Sequence, residues 1–511
     1  MEGLLSSIYS VVGPSAKPTS IQALSLKHLF SPLKPGKDGQ LAWRQYLLAS
    51  ETGSGKSIAY LLPMLQDLKR SENEPRIESE SSPRRALNPR GLVLAPTHEL
   101  SRQLSGFAKS LLHNVKLRVM CASRTNVPSV ASRTASAAQM AVNFDGKGDG
   151  TGEFVLSGKE AVSRDVDVLV GTPTKVLEMV KGRGWDWEKR AKEREEEGKG
   201  EVTPRRKWTI GEPEAGLANV EWVVIDEADV LLDPDFQEST RLLLADIAAA
   251  RGHPVKYQPE LNLSSIGTNT PVEVPEYPFN LLLTTATIPS SLAAYLDAYH
   301  PSLTRLASPN LHKLPATLKT EYEGWTGGRR NKDIERKIRR VWWEDAVAAA
   351  KPGALISAES LPAGSPKSKI LIFCNKSSKV EDLGTYLREM GISNVALTST
   401  SETRQRGSNK HLDGFLRVRD VQDSVGLKPV SPDQPHVLIT TSLLSRGLDF
   451  CPSIRHVFIV DSPRNMVDFL HRAGRSGRAG EKGKVVVFGK EKGRGAGRDK
   501  EMKSRVRAVA R

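Results

Sequence analysis

The sequence predicts an α/β protein with two tandem units, each a parallel sheet with helices on both faces. The chain has 511 residues, which is too long for one ordinary domain. It contains short continuous runs of Val, Ile and Leu, a pattern typical of strands that are covered on both faces. Helix-like stretches such as SIAYLLPMLQDLKR (57–70) and VEDLGTYLREM (380–390) lie between these runs. This alternation predicts crossover helices that join parallel strands.

The apolar runs fall into two sets, and each set predicts one sheet. The first set covers 46–50, 91–96, 117–122, 166–173, 220–229 and 279–287, and the second covers 369–375, 394–400, 436–442, 455–461 and 484–489. The sets separate near 308–320, so we expect domains over 1–310 and 311–489, followed by a basic tail over 490–511. Polar tracts interrupt both units and are interpreted as surface insertions or disordered segments. They cover 71–90, 143–154, 181–207, 252–276 and 421–434.

The charge balance limits the kinds of partner. A net charge of +15 and a pI near 9.6 favour an anionic partner such as nucleic acid or an anionic membrane surface. A basic housekeeping enzyme is the alternative. The cysteines Cys121, Cys374 and Cys451 form no C-x-x-C pair, which argues against a zinc site and fits a reducing compartment. No apolar run has the length of a membrane-spanning helix, and MEGLLSSIYS is not a secretory signal.

The segment SETGSGKS (50–57) has the features of a phosphate-binding loop, because it follows an apolar run and precedes a helical pattern. Gly53 and Gly55 allow a tight turn that directs N–H groups at phosphate oxygens. Lys56 is predicted to reach the β- and γ-phosphates of ATP, and the Ser57 hydroxyl to bind Mg²⁺. By itself the pattern could be a chance Gly-Lys turn, and Ser50 stands where Gly or Ala is usual. The predicted ATP-binding residues of this segment are Ser50, Glu51, Thr52, Gly53, Ser54, Gly55, Lys56 and Ser57.

A second acidic motif supports the nucleotide site. VVIDEAD (223–229) ends an apolar run with adjacent acids. Asp226 is predicted to hold Mg²⁺, partly through water, and Glu227 to position the attacking water. An acid string alone is a weak signal, but one downstream of a phosphate loop is strong.

These motifs resemble those of the DEAD-box ATP-dependent RNA helicases of superfamily 2, and matching stretches run from residue 17 to about 480. The resemblance implies two tandem RecA-like P-loop domains. KPTSIQ (17–22) resembles the adenine-reading Q motif, with Thr19 and Gln22. APTHEL (95–100) and TPTK (172–175) resemble two RNA-contacting motifs, although His98 replaces the usual Arg and no double-Gly turn is visible near 121–124. The residues that these two motifs imply for RNA binding are Pro96, Thr97, Glu99, Thr172, Pro173 and Lys175.

The remaining motifs imply coupling and second-lobe contacts. Asp229, Thr285, Ala286 and Thr287 resemble the elements that couple hydrolysis to unwinding. LIFCN (371–375) resembles the fourth motif. In the second lobe, the resemblance implies RNA contacts by Gln405, Arg406, Thr440, Arg446 and Gly447, and an ATP contact by Asp449. Ser442 replaces an Asp of this motif. HRAGRSGR (471–478) matches the sixth motif, so Arg475 and Arg478 are the implied arginine fingers, and His471 and Arg472 link the two sites.

The resemblance implies that ATP hydrolysis with Mg²⁺ requires both lobes and drives local duplex unwinding or ribonucleoprotein remodelling. The expected partners are structured or ribosomal RNA and ribosome-assembly proteins, with no membrane, and the protein is expected to be a monomer. The alternatives are an ATP-dependent RNA clamp that assembles complexes, a DNA helicase of the same superfamily, and an inactive scaffold.

Within the family, the motifs and insertions resemble the fungal mitochondrial helicases that assist ribosome assembly. This resemblance implies the mitochondrial matrix, with the nucleus, nucleolus or cytoplasm as alternatives. Counting back from the Q motif to the family's upstream aromatic residue passes Met1. We therefore expect a longer N-terminus that carries a transit peptide.

Overall fold

The structure is a computed structural model. It describes residues 2–31, 43–73, 85, 87–122, 166–188, 211–255, 274–309, 311, 314, 317–349, 367–398, 409–417, 434–442, 446–477, 481–490 and 496–509. Gln405, Arg406 and Arg478, which the sequence assigns to RNA binding and catalysis, lie outside these ranges.

The first sheet has seven strands. They are β1 (Gln45–Ala49), β2 (Gly91–Leu94), β3 (Val119–Ala122), β4 (Val168–Gly171), β5 (Trp222–Ile225), β6 (Asn280–Thr285) and β7 (Thr304–Ala307). Their order is β3-β4-β2-β5-β6-β1-β7, and the pairs β3–β4, β4–β2, β2–β5 and β5–β6 are parallel. Strands β2, β4, β5 and β6 are buried along their whole length, because their apolar side chains are covered on both faces.

Helices connect and flank these strands. They are α1 (Glu2–Val12), α2 (Ser20–Leu29), α3 (Lys56–Arg70), α4 (His98–Ser110), α5 (Pro173–Lys181), α6 (Ala228–Leu231), α7 (Gln237–Ala250) and α8 (Ser290–Tyr299), with a 3₁₀ turn at Ser71–Asn73. Helices α3, α4, α5 and α6 each begin within a few residues of a strand end. This arrangement brings their N-terminal residues to the ends of the strands, where α/β folds place their ligand sites.

The second sheet has six strands. They are β8 (Leu318–Gly324), β9 (Lys369–Cys374), β10 (Asn394–Leu397), β11 (Val437–Thr441), β12 (Ile454–Ile459) and β13 (Gly483–Gly489). Their order is β10-β11-β9-β12-β13-β8, and all five pairs are parallel. The helices of this part are α9 (Arg330–Ala349), α10 (Ser377–Glu389), α11 (Met466–Ala473) and α12 (Ala496–Val509), with a 3₁₀ turn at Lys410–Leu412. The apolar side chains of α9 and α10 share one core with β9, β11 and β13.

The chain divides into two compact units. The first contains Met1–Ala16, Gln22–Leu48 and Ser57–Leu306, and the second contains Lys17–Ile21, Ala49–Lys56 and Ala307–Arg511. The two short segments 17–21 and 49–56 are therefore grouped with the second unit, whereas the sequence-based boundary of 1–310 includes them in the first domain. No described helix is long and apolar enough to cross a membrane.

Two strands were not predicted, and both lie at the edge of a sheet. Strand β7 has three exposed residues of four, and β8 has the polar sequence LKTEYEG. Edge strands need no continuous apolar pattern, because one side of each strand has no neighbour. On β8, Glu321 and Glu323 accept hydrogen bonds from Lys337 of α9 at 3.0 and 2.7 Å. Charged pairs therefore hold this edge where buried apolar side chains hold the interior strands.

The segment predicted as a basic tail contains helix α12, which the sequence did not indicate. Val506 is buried, and Asp499 accepts hydrogen bonds from Ser462 and from the backbone N–H of Lys490. Lys503 lies 5.1 Å from the ring centroid of Tyr322. The helix is thus packed on the second unit through specific contacts.

Candidate nucleotide and RNA site

The loop between β1 and α3 has the geometry of a phosphate cradle. Gly53 and Gly55 have φ angles of 80° and 81°, a left-handed conformation that favours glycine. The Lys56 ammonium donates to the carbonyl oxygens of Ser50 and Glu51 at 2.8 and 3.0 Å, so it lies inside the loop. Helix α3 starts at Lys56 and has 15 residues, so its partial positive end also faces the loop.

Side-chain hydroxyls brace this loop. The hydroxyls of Ser50 and Ser54 are 2.6 Å apart, so the serine that replaces the usual Gly or Ala has a structural partner. Thr19 of the Q-motif segment donates to the Ser54 carbonyl oxygen at 2.7 Å. The segment predicted to read adenine is therefore tied directly to the phosphate loop. Gln22 lies in the first turn of α2 and is buried.

The acids after β5 are buried and conformationally unusual. Asp226 and Glu227 are 5 % and 4 % exposed. Glu227 has φ 53° and ψ 52°, and it is the one non-glycine residue with positive φ in the described ranges. Its backbone N–H donates to Asp226 Oδ1 at 3.0 Å. A left-handed non-glycine residue is energetically costly and is found preferentially at functional sites.

Two further hydroxyls contact Asp226, and the sequence analysis missed both. Tyr60 donates to Asp226 Oδ2 at 3.3 Å, and Thr284 donates to Asp226 Oδ1. Burial and then the negative charge of Asp226 raise the pKa of Tyr60 well above its usual value, so the phenol is a donor. The Tyr60 hydroxyl also interacts with the Ser57 hydroxyl, one turn earlier on α3. A signal was available at Thr284, which is a polar residue in the apolar run LLLTTAT.

The residues predicted to bind a metal fit Mg²⁺ by their chemistry. Ser57 offers a hydroxyl and Asp226 a carboxylate, and hard cations such as Mg²⁺ prefer oxygen ligands. Tyr60 contacts both residues, so the start of α3 and the end of β5 lie together. The structure therefore joins the two sequence motifs on which the nucleotide site depends.

The predicted coupling residues of the first unit are also brought together. Asp229 accepts hydrogen bonds from the hydroxyls of Thr285 and Thr287 at 3.1 and 3.2 Å. The Thr287 carbonyl oxygen, 2.6 Å from the Thr285 hydroxyl, is an alternative acceptor for its single proton, and Ala286 is buried. These hydrogen bonds join the 285–287 segment to helix α6, which carries Asp229.

Two predicted RNA-contacting threonines form the N-caps of their helices. Thr97 accepts a hydrogen bond from the backbone N–H of Leu100 at the start of α4, and Thr172 from that of Lys175 at the start of α5. Glu99 is fully buried, whereas Pro96 is partly exposed. Lys175 forms an ion pair with Glu178 at 3.1 Å, and Pro173 is the first residue of α5.

Strands β2 and β4, which precede α4 and α5, are parallel neighbours. The N-termini of the two helices therefore lie at the same end of the sheet, beyond the carboxyl ends of these two strands. The partial positive charge of a helix N-terminus favours phosphate groups, so this end of the sheet is a candidate phosphate-binding surface.

In the second unit, Arg472 is buried and joins several segments of the chain through hydrogen bonds. The Arg472 side chain is 1 % exposed. Its guanidinium donates to both carboxylate oxygens of Asp468, at 2.9 and 2.6 Å. It also donates to Asn375 Oδ1 at 2.7 Å and to the Asp461 carbonyl oxygen at 3.2 Å. Burial acts to raise the pKa of Asp468, but the charge and hydrogen bonds of Arg472 outweigh it and hold that pKa below its usual value. Arg472 thus links the sixth motif to the fourth within this unit.

Arg475 and His471 follow on the same buried stretch. Arg475 donates to the carbonyl oxygens of His471 and Leu448 at 3.0 and 3.3 Å. Thr440 is buried at the end of β11, and Gly447 has a φ of 70°. Arg446 and Asp449 are partly exposed. The fifth and sixth motifs are therefore adjacent through the Arg475–Leu448 contact.

Comparison with known proteins supports the same class. Residues 19–295 match the DEAD/DEAH box helicase family model, and residues 353–480 match the helicase conserved C-terminal domain model. The chain belongs to the DEAD/DEAH box helicase family. The predicted family and fold class are thereby confirmed.

Individual proteins that are similar to this chain include mitochondrial helicases and a solved RNA-bound structure. The mitochondrial ATP-dependent RNA helicase MRH4 of Cryptococcus neoformans var. neoformans serotype D is 34 % identical over 96 % of this chain and 82 % of its own length. The protein of the same name from Aspergillus oryzae is 26 % identical over 93 % of this chain and 71 % of its own. The solved structure of S. cerevisiae Dbp5 bound to RNA and ADP BeF3 is similar with a TM-score of 0.56 and 18 % identity, covering 100 % of this chain and 91 % of that one. At that identity, the likeness supports the fold alone.

Proposed function

We propose that this chain is an ATP-dependent RNA helicase that binds the RNA backbone and couples ATP hydrolysis to local strand separation. The observation that carries the proposal is the Ser57–Tyr60–Asp226 linkage, which joins the phosphate loop to the strand-end acids. Family membership and the names of the relatives support the same activity.

The nucleotide chemistry follows from the residues of the loop and the acids. Lys56 and the loop N–H groups bind the phosphates, while Ser57 and Asp226 would hold Mg²⁺. The metal ion would supply positive charge that offsets the charge of the phosphate groups. Glu227 orients a water for attack on the γ-phosphorus, and the bond to the β-phosphate oxygen breaks. Arg475, with Arg478, stabilises the charge that develops on the transferred group.

RNA binding through phosphates follows from charge and helix geometry. The chain has a net charge of +15, and the N-termini of α4 and α5 lie at the same end of the first sheet. Contacts to phosphates position a strand but read no bases, so little sequence preference is expected. Contacts to the 2′-hydroxyl distinguish RNA from DNA.

We expect single-stranded RNA affinity to depend strongly on salt. If about five phosphates are neutralised, the logarithm of the association constant falls with the logarithm of salt concentration at a slope of roughly −3.5. Titration of unrelated RNA strands of equal length, with DNA strands of the same sequence as the matched control, measures this slope. ATP should also promote separation of a short RNA duplex. A flat salt response, tighter binding to DNA, or no strand separation would contradict the proposal.

We further propose that the protein works as a monomer in the mitochondrial matrix on ribosomal RNA and its assembly proteins. The relatives named mitochondrial helicases support the compartment. Imaging of a tagged full-length gene product, together with sequencing of RNA cross-linked to it in cells, tests both parts. Mitochondrial signal with enrichment of mitochondrial ribosomal RNA is the expected result. A nuclear signal would overturn the compartment, and enrichment of other RNA would overturn the substrate.

A further inference from the structure

The carboxylate of Asp226 is held by three donors from three elements. Glu227 N–H and the Thr284 hydroxyl donate to Oδ1, and the Tyr60 hydroxyl donates to Oδ2 at 3.3 Å. Tyr60 lies on α3, Thr284 on β6 and Glu227 follows β5. Side chains of Tyr60 and Thr284 are fully buried. Both oxygens of the Asp226 carboxylate therefore accept a hydrogen bond from a neighbouring element.

We propose that Tyr60 and Thr284 are positioning residues that set the orientation of the Asp226 carboxylate for Mg²⁺. The proposal rests on the assignment of Asp226 to the metal. The terminal torsion of an aspartate is broad, so an unsupported carboxylate samples many orientations. Donors to both oxygens restrict this rotation and so favour one orientation of the Asp226 carboxylate. Groups that hold a ligand in this way raise metal affinity without touching the metal.

The buried hydroxyls of Tyr60 and Thr284 carry an energetic cost, and the positioning role explains why these residues are not apolar. A buried hydroxyl is destabilising unless it is hydrogen-bonded, and Phe at position 60 or Val at position 284 would fill nearly the same volume without that cost. Strand β6 is apolar from Leu281 to Leu283, and β-branched apolar residues suit such a strand. The polar atom at position 284 directly contacts Asp226, which follows the paired strand β5.

Tyr60 adds a second effect, because it contacts Ser57 as well as Asp226. Ser57 and Tyr60 are three residues apart on α3, so they lie on one helix face. The Tyr60 hydroxyl thereby contacts both proposed Mg²⁺ ligands, Ser57 and Asp226, and restricts their relative positions. Tyr60→Phe is expected to loosen both ligands, whereas Thr284→Val loosens Asp226 alone.

The test is a Mg²⁺ titration of ADP binding by the full-length protein. ADP affinity is measured at increasing Mg²⁺ and in EDTA for Tyr60→Phe and Thr284→Val. Both variants are expected to need roughly 10- to 100-fold more Mg²⁺ for half of the Mg²⁺-dependent gain in affinity. The ADP affinity of both variants in EDTA should equal that of the native chain in EDTA. Tyr295→Phe and Thr240→Val are matched controls, because both side chains are also buried and lie on other helices, α8 and α7.

Double variants that also carry Asp226→Asn distinguish the positioning role of Tyr60 and Thr284 from the assignment of Asp226 to the metal. In an Asp226→Asn chain, adding either substitution should change the Mg²⁺ dependence no further, because both act through Asp226. If Asp226→Asn itself titrates like the native chain, the metal assignment is wrong and the proposal falls with it. If Asp226→Asn loses the Mg²⁺ dependence while Tyr60→Phe and Thr284→Val do not, only the positioning role is wrong. Equal losses in EDTA and in Mg²⁺ would show general damage to the fold and would also overturn it.

Discussion

Glu227→Gln is expected to bind ATP as the native chain does and to hydrolyse it roughly 10²- to 10⁴-fold more slowly, the usual range for loss of a general acid–base group. Glutamine has the same shape as glutamate but lacks the carboxylate that orients and polarises water. Ground-state binding is expected to depend on Lys56, which lies within the phosphate loop, and on the loop N–H groups, and this change leaves them intact. Nucleotide titration and phosphate-release rates measure the two effects separately.

Two companion variants sharpen the result. Lys56→Ala should show the opposite pattern, with weakened ATP binding. Glu227→Gly should remove hydrolysis without loss of melting temperature, because glycine adopts the left-handed backbone at this position without strain. The exposed Glu501→Gln on α12 is a charge-matched control. Turnover by Glu227→Gln near the native rate would show that another group positions the water.

Arg475→Ala is expected to lose about 10³- to 10⁵-fold of RNA-stimulated hydrolysis, or roughly 4–7 kcal/mol of transition-state stabilisation. Arg475 belongs to the second unit and Glu227 to the first, so the proposed mechanism predicts that substitution in either unit lowers turnover. Because a finger acts on developing charge, its removal should reduce turnover much more than nucleotide affinity. RNA-stimulated ATPase rates and nucleotide titrations of the full chain test this difference.

Stability controls are needed because Arg475 is buried and bonded within its unit. Arg475→Lys keeps the charge but loses the planar fork, so it should fold well and still be slow. Arg472→Ala provides the contrast, since it removes the ion-pair partner of the buried Asp468 and should destabilise the fold by about 3–5 kcal/mol. If Arg475→Ala retains full activity at native stability, Arg475 is not the finger and Arg478 becomes the first candidate.

The sequence by itself determined the interior strands and the loops that carry chemistry. Continuous apolar runs mark β2, β4, β5 and β6 because such strands are covered on both faces, whatever their neighbours are. The phosphate loop was equally visible, since Gly53, Gly55 and Lys56 are required by local backbone geometry and phosphate charge. These features depend on residues that are close together in the chain.

The tertiary structure alone decided which side chains support those residues. Tyr60 and Asp226 are 166 positions apart, and Thr284 and Asp226 are 58 apart, so no local pattern relates them. Arg472 was predicted to link two sites, and only the folded unit pairs it with Asp468 and with Asn375, 97 positions away. Edge strands such as β8 and the packed helix α12 also escape pattern analysis, because pairing with a distant strand or a few distant contacts stabilises them. A hydrogen bond between remote residues exists only once the strands have their order, and that order is a property of the whole fold.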